Sequence, residues 1–231
     1  MKNFLICCLA CCWYGLALAQ PVTRPFEKEV AAFARQDSFH PPPDKPILLI
    51  GSSSFTKWTD VQQYFPGYEI LNRGFGGSSL EDVLYYAPQV LFAYSPRQII
   101  VYCGENDLAA SAQPSTKLVL KRFKQLYRLI RNRWPSVPIV YISIKPSPAR
   151  WQLESSFVEA NERIKGFIQK QKDIQFLDVH TAMLTTGGET RPELYIGDRL
   201  HMNARGYEIW KNKLFLLLLP ANVAQGHGIP Q

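Results

Sequence analysis

The feature that most limits how this chain can fold is a repeated alternation. A short apolar run ends in a polar or glycine-rich turn, and a segment with helical spacing follows. Five such runs read as strands: Pro46–Ile50, Tyr68–Leu71, Gln98–Cys103, Ile139–Ile144 and Ile174–Val179. Short apolar runs bounded by turn residues suit strands buried on both faces of a parallel sheet. Helices are expected over Trp58–Phe65, from Ser78 to Leu91, over Thr116–Trp134 and over Glu154–Lys170. Ser78 followed by Glu81 has the capping-box pattern, and Asn203 reads as the N-cap of a last helix with Tyr207, Trp210, Leu214 and Leu217 inward. The alternation predicts an α/β fold in three layers, a five-stranded parallel sheet with helices on both faces.

The two ends of the chain read differently. Lys2, the apolar run Phe4–Leu18 and Ala17-Leu18-Ala19 have the form of a signal peptide over residues 1–19. That run is shorter than the roughly 20 residues a membrane-spanning helix needs, so export is expected, with lipidation at Cys11 or Cys12 as the alternative. Four of the five cysteines fall in this leader. Cys103 is left, expected as a buried, inert thiol, and one thiolate cannot build a structural zinc site. Residues 20–45 read as a peripheral segment with Phe26, Val30 and Phe33 at helical spacing. Residues 46–220 read as one domain and 221–231 as a tail.

The net charge is +7, but the basic residues are dispersed. Lys117, Lys121, Arg122, Lys124, Arg128 and Arg131 lie opposite the apolar stripe Val119, Phe123, Leu126 and Ile130 of one helix. That is a solvated face, not the clustered patch of a nucleic-acid site.

In a parallel sheet the carboxyl ends of all strands lie along one edge, where open α/β folds place their chemistry. Ser53, Gly77, Asn106 and Lys145 follow the first four strands, and Asp198 and His201 come from the connection after the fifth. These groups suit acyl transfer. A serine attacks an ester only if a base takes its proton, and that base is usually a histidine oriented by a carboxylate. His40 lies in a proline-rich entry and His227 in the tail. His180, two residues after Asp178, reads as structural. His201, three residues after Asp198, reads as the base. The backbone N–H groups of Ser53 and Gly77 and the Asn106 amide would supply the donors that a developing oxyanion requires.

Gly51-Ser52-Ser53, Asn72-x-Gly74-x-x-Gly77, Gly104-x-Asn106-Asp107 and Asp198-x-x-His201, in that order, resemble the four blocks of the SGNH hydrolases, also called GDSL esterases/lipases. The resemblance covers about residues 46–215. It implies a flavodoxin-like three-layer fold, a nucleophile at Ser53, an acid and base at Asp198 and His201, and an oxyanion hole of Ser53, Gly77 and Asn106. The family's usual aspartate before the nucleophile is Ser52 here. That leaves three adjacent serines, Ser52, Ser53 and Ser54, with Ser53 chosen by register. The other common serine-hydrolase elbow, G-x-S-x-G, does not occur.

The function expected is that of an exported serine esterase without cofactor or metal, acting on a small-molecule ester. Acetyl groups on carbohydrates come first as substrate, and lysophospholipid or short lipid esters second. A non-catalytic binding protein on the same scaffold is the reading from another class. A metal-dependent hydrolase using Asp107, Asp198 and His201 lacks the usual ligand spacing. Neither a nucleic-acid partner nor an integral membrane segment after the leader is expected. Trp58, Arg73, Phe75, Lys145, Trp151 and Tyr195 fall near the sheet edge and are expected to contact substrate.

Overall fold

The computed structural model describes residues 24–221. The leader-like residues 1–19, with Cys11 and Cys12, and the tail beyond 221 with His227 lie outside them. In chain order the elements are α1 (Glu27–Phe39), β1 (Ile47–Gly51), α2 (Ser53–Thr56), α3 (Val61–Tyr64), β2 (Ile70–Gly74), α4 (Leu80–Tyr85) and α5 (Ala87–Val90). They continue with β3 (Gln98–Tyr102), α6 (Glu105–Ala109), α7 (Thr116–Arg133), β4 (Ile139–Ile142), α8 (Glu154–Ile168), β5 (Ile174–Leu177) and α9 (Ala204–Phe215). All strand pairs are parallel, in the order β2-β1-β3-β4-β5.

Side chains alternate across a strand, so each strand feeds two cores. Leu48, Ile50, Ile99 and Val101 face one cluster, which α7 joins through Val119, Phe123, Leu126 and Ile130, and α8 through Phe157 and Ile164. Ile47, Leu49, Ile100 and Tyr102 face the other, filled by Phe55, Trp58, Tyr207, Trp210 and Leu214. This is the three-layer arrangement that the alternation predicts.

The local signals place the ends of the long helices. Ser115 caps α7 by accepting the Leu118 N–H. Trp134, extended before Pro135, ends the helix because the residue before a proline is pushed out of the α region. Asn203 caps α9 by accepting from Arg205 and Gly206.

Several boundaries differ from expectation. The capping box belongs to Ser79 and Asp82, not to Ser78 and Glu81. The Ser78 hydroxyl is buried and donates to Gly51 O at 3.0 Å, so it is unavailable to the helix. Pro88 suits only a first turn, and the expected Ser78–Leu91 helix is therefore two pieces, α4 and α5. The segment expected as one helix over Trp58–Phe65 is only α3, and a helix not foreseen, α2, starts at Ser53 itself. α6 was not foreseen either. β2 begins at Ile70, since Gln62 takes the Tyr68 carbonyl and the Ile70 N–H with its side chain. β4 and β5 end two residues early although the chain stays buried. The Ile144 N–H and carbonyl pass to the Asn161 amide, and the Val179 N–H to Ser143 Oγ, so side chains replace the ladder there.

Of the segment expected to be peripheral, the described residues 24–45 also reach the core. Val30 of α1 is core, and Asp37 pairs with Arg73 and Tyr94. Glu29 accepts the Gly76 N–H at 2.8 Å, which ties α1 to the loop that carries Gly77.

Candidate active site

Gly51 ends β1 at φ 138°, and a Cβ there would sit 1.9 Å from the Tyr102 carbonyl oxygen. Only glycine fits this bend. The bend releases Ser52 in an extended conformation and starts α2 at Ser53. Ser52 and Ser54 are both buried, while Ser53 is half-buried and faces outward. Of the three serines, Ser53 meets a base: its Oγ lies 2.9 Å from His201 Nε2.

His201 comes from a closed loop. Tyr195 and Met202 bridge antiparallel, and the Ile196 N–H bonds the His201 carbonyl. Inside it, Asp198 Oδ2 lies 2.6 Å from His201 Nδ1, and its Oδ1 accepts the N–H groups of Leu200 and His201 at 2.9 Å each. Partial burial pulls this carboxyl upward, but the His201 side chain and the two backbone donors outweigh it and hold its pKa at about 2. Asp198 is thus a carboxylate at any pH where a histidine can act as base.

The opposite rim carries the donors. Asn106 Nδ2 donates to Ser78 O at 3.1 Å, and a Cβ on Gly77 would lie 3.8 Å from the same nitrogen. The amide has a second N–H to offer. Among the described residues, the N–H groups of Ser53 and Gly77 donate to no protein acceptor. Asp107 accepts the Leu80 N–H at 2.8 Å and pairs with Arg122 at 2.9 Å, so it ties α6 to the turn after Gly77. Asn72, the first residue of the second block, links α2 to β2 through the Phe55 carbonyl and the Gly74 N–H.

Five of the six residues expected to touch substrate do not line the crevice. Trp58 is 0% exposed and stacks on Tyr207. Phe75 is buried against Phe26 and Tyr86. Arg73 is buried in the pair with Asp37, and the buried Tyr195 donates to the Pro146 carbonyl. Lys145 is 1% exposed and pairs with Glu105. A sheet edge borders the core as well as the crevice, and these long side chains turn inward. Trp151 alone reaches solvent, at 39%.

His180 does not pair with Asp178, which caps Thr181; its Nε2 lies 2.8 Å from Glu154 Oε1. Cys103 is buried, and burial pushes its thiol well above its ordinary pKa. Among the described residues no group of three His, Cys, Asp or Glu side chains is placed to hold a metal ion. Asp107 is engaged with Arg122 and the Leu80 N–H. Among them also, no helix is long and apolar enough to cross a membrane. A groove of about 1020 Å³ beside α9, lined by Tyr64, Leu194, Ile209 and Phe215, includes none of Ser53, Asp198 or His201. The cluster of Ser53, His201 and Asp198 therefore lies outside that groove.

The profile of the GDSL-like lipase/acylhydrolase family matches residues 50–209. The chain belongs to the GDSL-like lipase/acylhydrolase family. Similar folds include a Bacteroides fragilis protein assigned as an acylhydrolase, at 19% identity and TM-score 0.70, covering 81% of this chain and 94% of that one. A GDSL-like lipase from Bacteroides thetaiotaomicron is 17% identical with TM-score 0.69, covering 81% and 96%. An acetyl xylan esterase is 13% identical with TM-score 0.60, covering 75% and 100%. At these identities the likeness establishes the fold. No curated protein matches the chain in sequence. As a GDSL-like acylhydrolase the chain is an ester-hydrolysing enzyme, and its five-stranded parallel α/β architecture is that of the GDSL neighbours.

Proposed function

We propose that this GDSL-like acylhydrolase is an exported serine esterase that forms an acyl-enzyme on Ser53. The observation that carries the reading is the chain of contacts Asp198 Oδ2, His201 Nδ1, His201 Nε2 and Ser53 Oγ, at 2.6 Å and 2.9 Å. His201 Nε2 takes the Ser53 proton as Oγ bonds the ester carbonyl carbon, and Asp198 stabilises the imidazolium through Nδ1. The carbonyl oxygen becomes an oxyanion, received by the Ser53 and Gly77 N–H groups and the Asn106 amide. Collapse breaks the bond to the alcohol, which leaves with the proton from His201. Water then gives a proton to His201 and attacks the acyl carbon. The second collapse frees the acid and returns the proton to Ser53.

Small acyl esters, acetyl groups on carbohydrates first, are the proposed substrates. The likeness to an acetyl xylan esterase supports this, and the leader-like residues 1–19 support export. The test is hydrolysis of p-nitrophenyl esters from acetate to decanoate by the protein and by Ser53→Ala. Acetate turnover lost in the variant supports the reading. A preference for long chains moves the substrate to lipids, and ester turnover that survives in Ser53→Ala overturns the mechanism.

A further inference from the structure

A buried ionic cluster lies behind the crevice, and the reaction as written does not use it. The Glu105 carboxylate accepts from Tyr102 Oη at 2.6 Å, from Lys145 Nζ at 3.2 and 3.4 Å, and from Arg150 Nη1 at 2.9 Å. Lys145 and Glu105 are almost wholly buried, and Arg150 keeps 21% of its side chain exposed. Burial raises the Glu105 pKa, but Lys145 and Arg150 outweigh it and hold the group below its ordinary value, an ionised carboxylate. A buried ion pair is a poor stabiliser compared with an apolar core of the same volume, so stability alone gives little reason for three charges here.

Their placement supplies one. Glu105 opens α6, whose N-cap Gly104 (φ 123°) provides no side-chain cap, and the next residue is Asn106. Tyr102, whose hydroxyl is bonded to Glu105, also accepts the Ser52 N–H at its carbonyl at 3.1 Å, next to Ser53. Arg150 lies in the 3₁₀ segment Pro148–Leu153, where the Ala149 N–H bonds the Arg199 carbonyl at 3.0 Å, beside Asp198. The three arms of the site, from the turns after β1, β3 and β5, are thus each tied to a single carboxylate.

We propose that Glu105, held by Lys145 and Arg150, is a positioning group that keeps Asn106 and the Asp198–His201 loop in register with Ser53. The proposal rests on the esterase reading above. Displacement of reacting groups by about 1 Å can cost on the order of 10²-fold in rate, which gives a reason to keep two buried charges and a partly buried one here.

The test compares the wild-type protein with Glu105→Gln, Arg150→Gln and the double variant. The turnover of p-nitrophenyl acetate is measured per Ser53 titrated by a fluorophosphonate, together with KM and Tm. The expected result is a fall in kcat per titrated site of about 10- to 100-fold for Glu105→Gln and about 10-fold for Arg150→Gln. KM is expected to stay within about twofold, since positioning acts on the transition state. The double variant should be no worse than Glu105→Gln, because both act through one carboxylate. A lower Tm with unchanged kcat per titrated site would assign the cluster to stability and overturn the proposal, as would additive losses. If Glu105→Gln does not fold, Arg150→Gln, at a partly exposed side chain, decides alone. Failure of the esterase reading looks different: the wild-type protein itself would have no titratable Ser53, and both readings would fall together.

Discussion

Asp198 meets His201 twice, once through the ring nitrogen at 2.6 Å and once through the backbone N–H at 2.9 Å. The loop that delivers the histidine is therefore folded around the carboxylate that orients it. Asp198→Asn keeps the shape of the loop but favours the wrong imidazole tautomer. It should lower kcat by about 10³- to 10⁴-fold while leaving the far-UV spectrum unchanged. A loss under about tenfold in steady-state kinetics would remove Asp198 from the mechanism.

The same carboxylate makes a prediction about acid. Its pKa falls from an ordinary 3.8 to about 2 in the folded protein. A depressed carboxyl pKa adds stability above the unfolded value, and that stability is lost as pH falls through the folded value. The Tm difference between the wild-type protein and Asp198→Asn should be full above about pH 4 and shrink towards pH 2. A difference that is constant with pH would contradict the ionised, bonded Asp198.

In the proposed mechanism Asn106 acts on the oxyanion of the transition state and little on the core. Asn106→Ala should reduce kcat by about 10²- to 10³-fold, with Tm changed far less than by a core substitution. Equal kcat in the two proteins would assign the oxyanion to other donors.

Gly51→Ala tests the bend that launches Ser53. The added Cβ meets the Tyr102 carbonyl at 1.9 Å, in a backbone region that side chains disfavour. The cost should be about 3 kcal/mol or more, equivalent to roughly 6–12 °C of Tm for a domain of this size. A Tm within about 2 °C of wild type would contradict this geometry.

How far the molecule was legible in its sequence depends on which physical signal each part carries. Strand–helix alternation is a period in the chain, so the sheet, α7, α8 and the Asn203 cap of α9 could be read directly. Ser53, Asp198 and His201 could be read as a meeting because parallel strands bring their carboxyl ends to one edge. What a side chain does after reaching that edge has no period. Trp58 turns into the core to stack on Tyr207, and Lys145 turns down to Glu105, a partner 40 residues away in sequence. The shift of the capping box from Ser78 to Ser79 has the same origin, since Ser78 is taken by the Gly51 carbonyl 27 residues earlier. Cross-chain partners settle these cases, and a local pattern cannot supply them.

The most direct test of the account is the site of covalent modification. The protein is treated with a fluorophosphonate, digested, and the peptide spanning Ile47–Lys57 is sequenced by tandem mass spectrometry. The account predicts a single adduct on Ser53, none on Ser52 or Ser54, and none in His201→Ala. An adduct on another serine, or full ester hydrolysis by a protein whose Ser53 is fully modified, would contradict it.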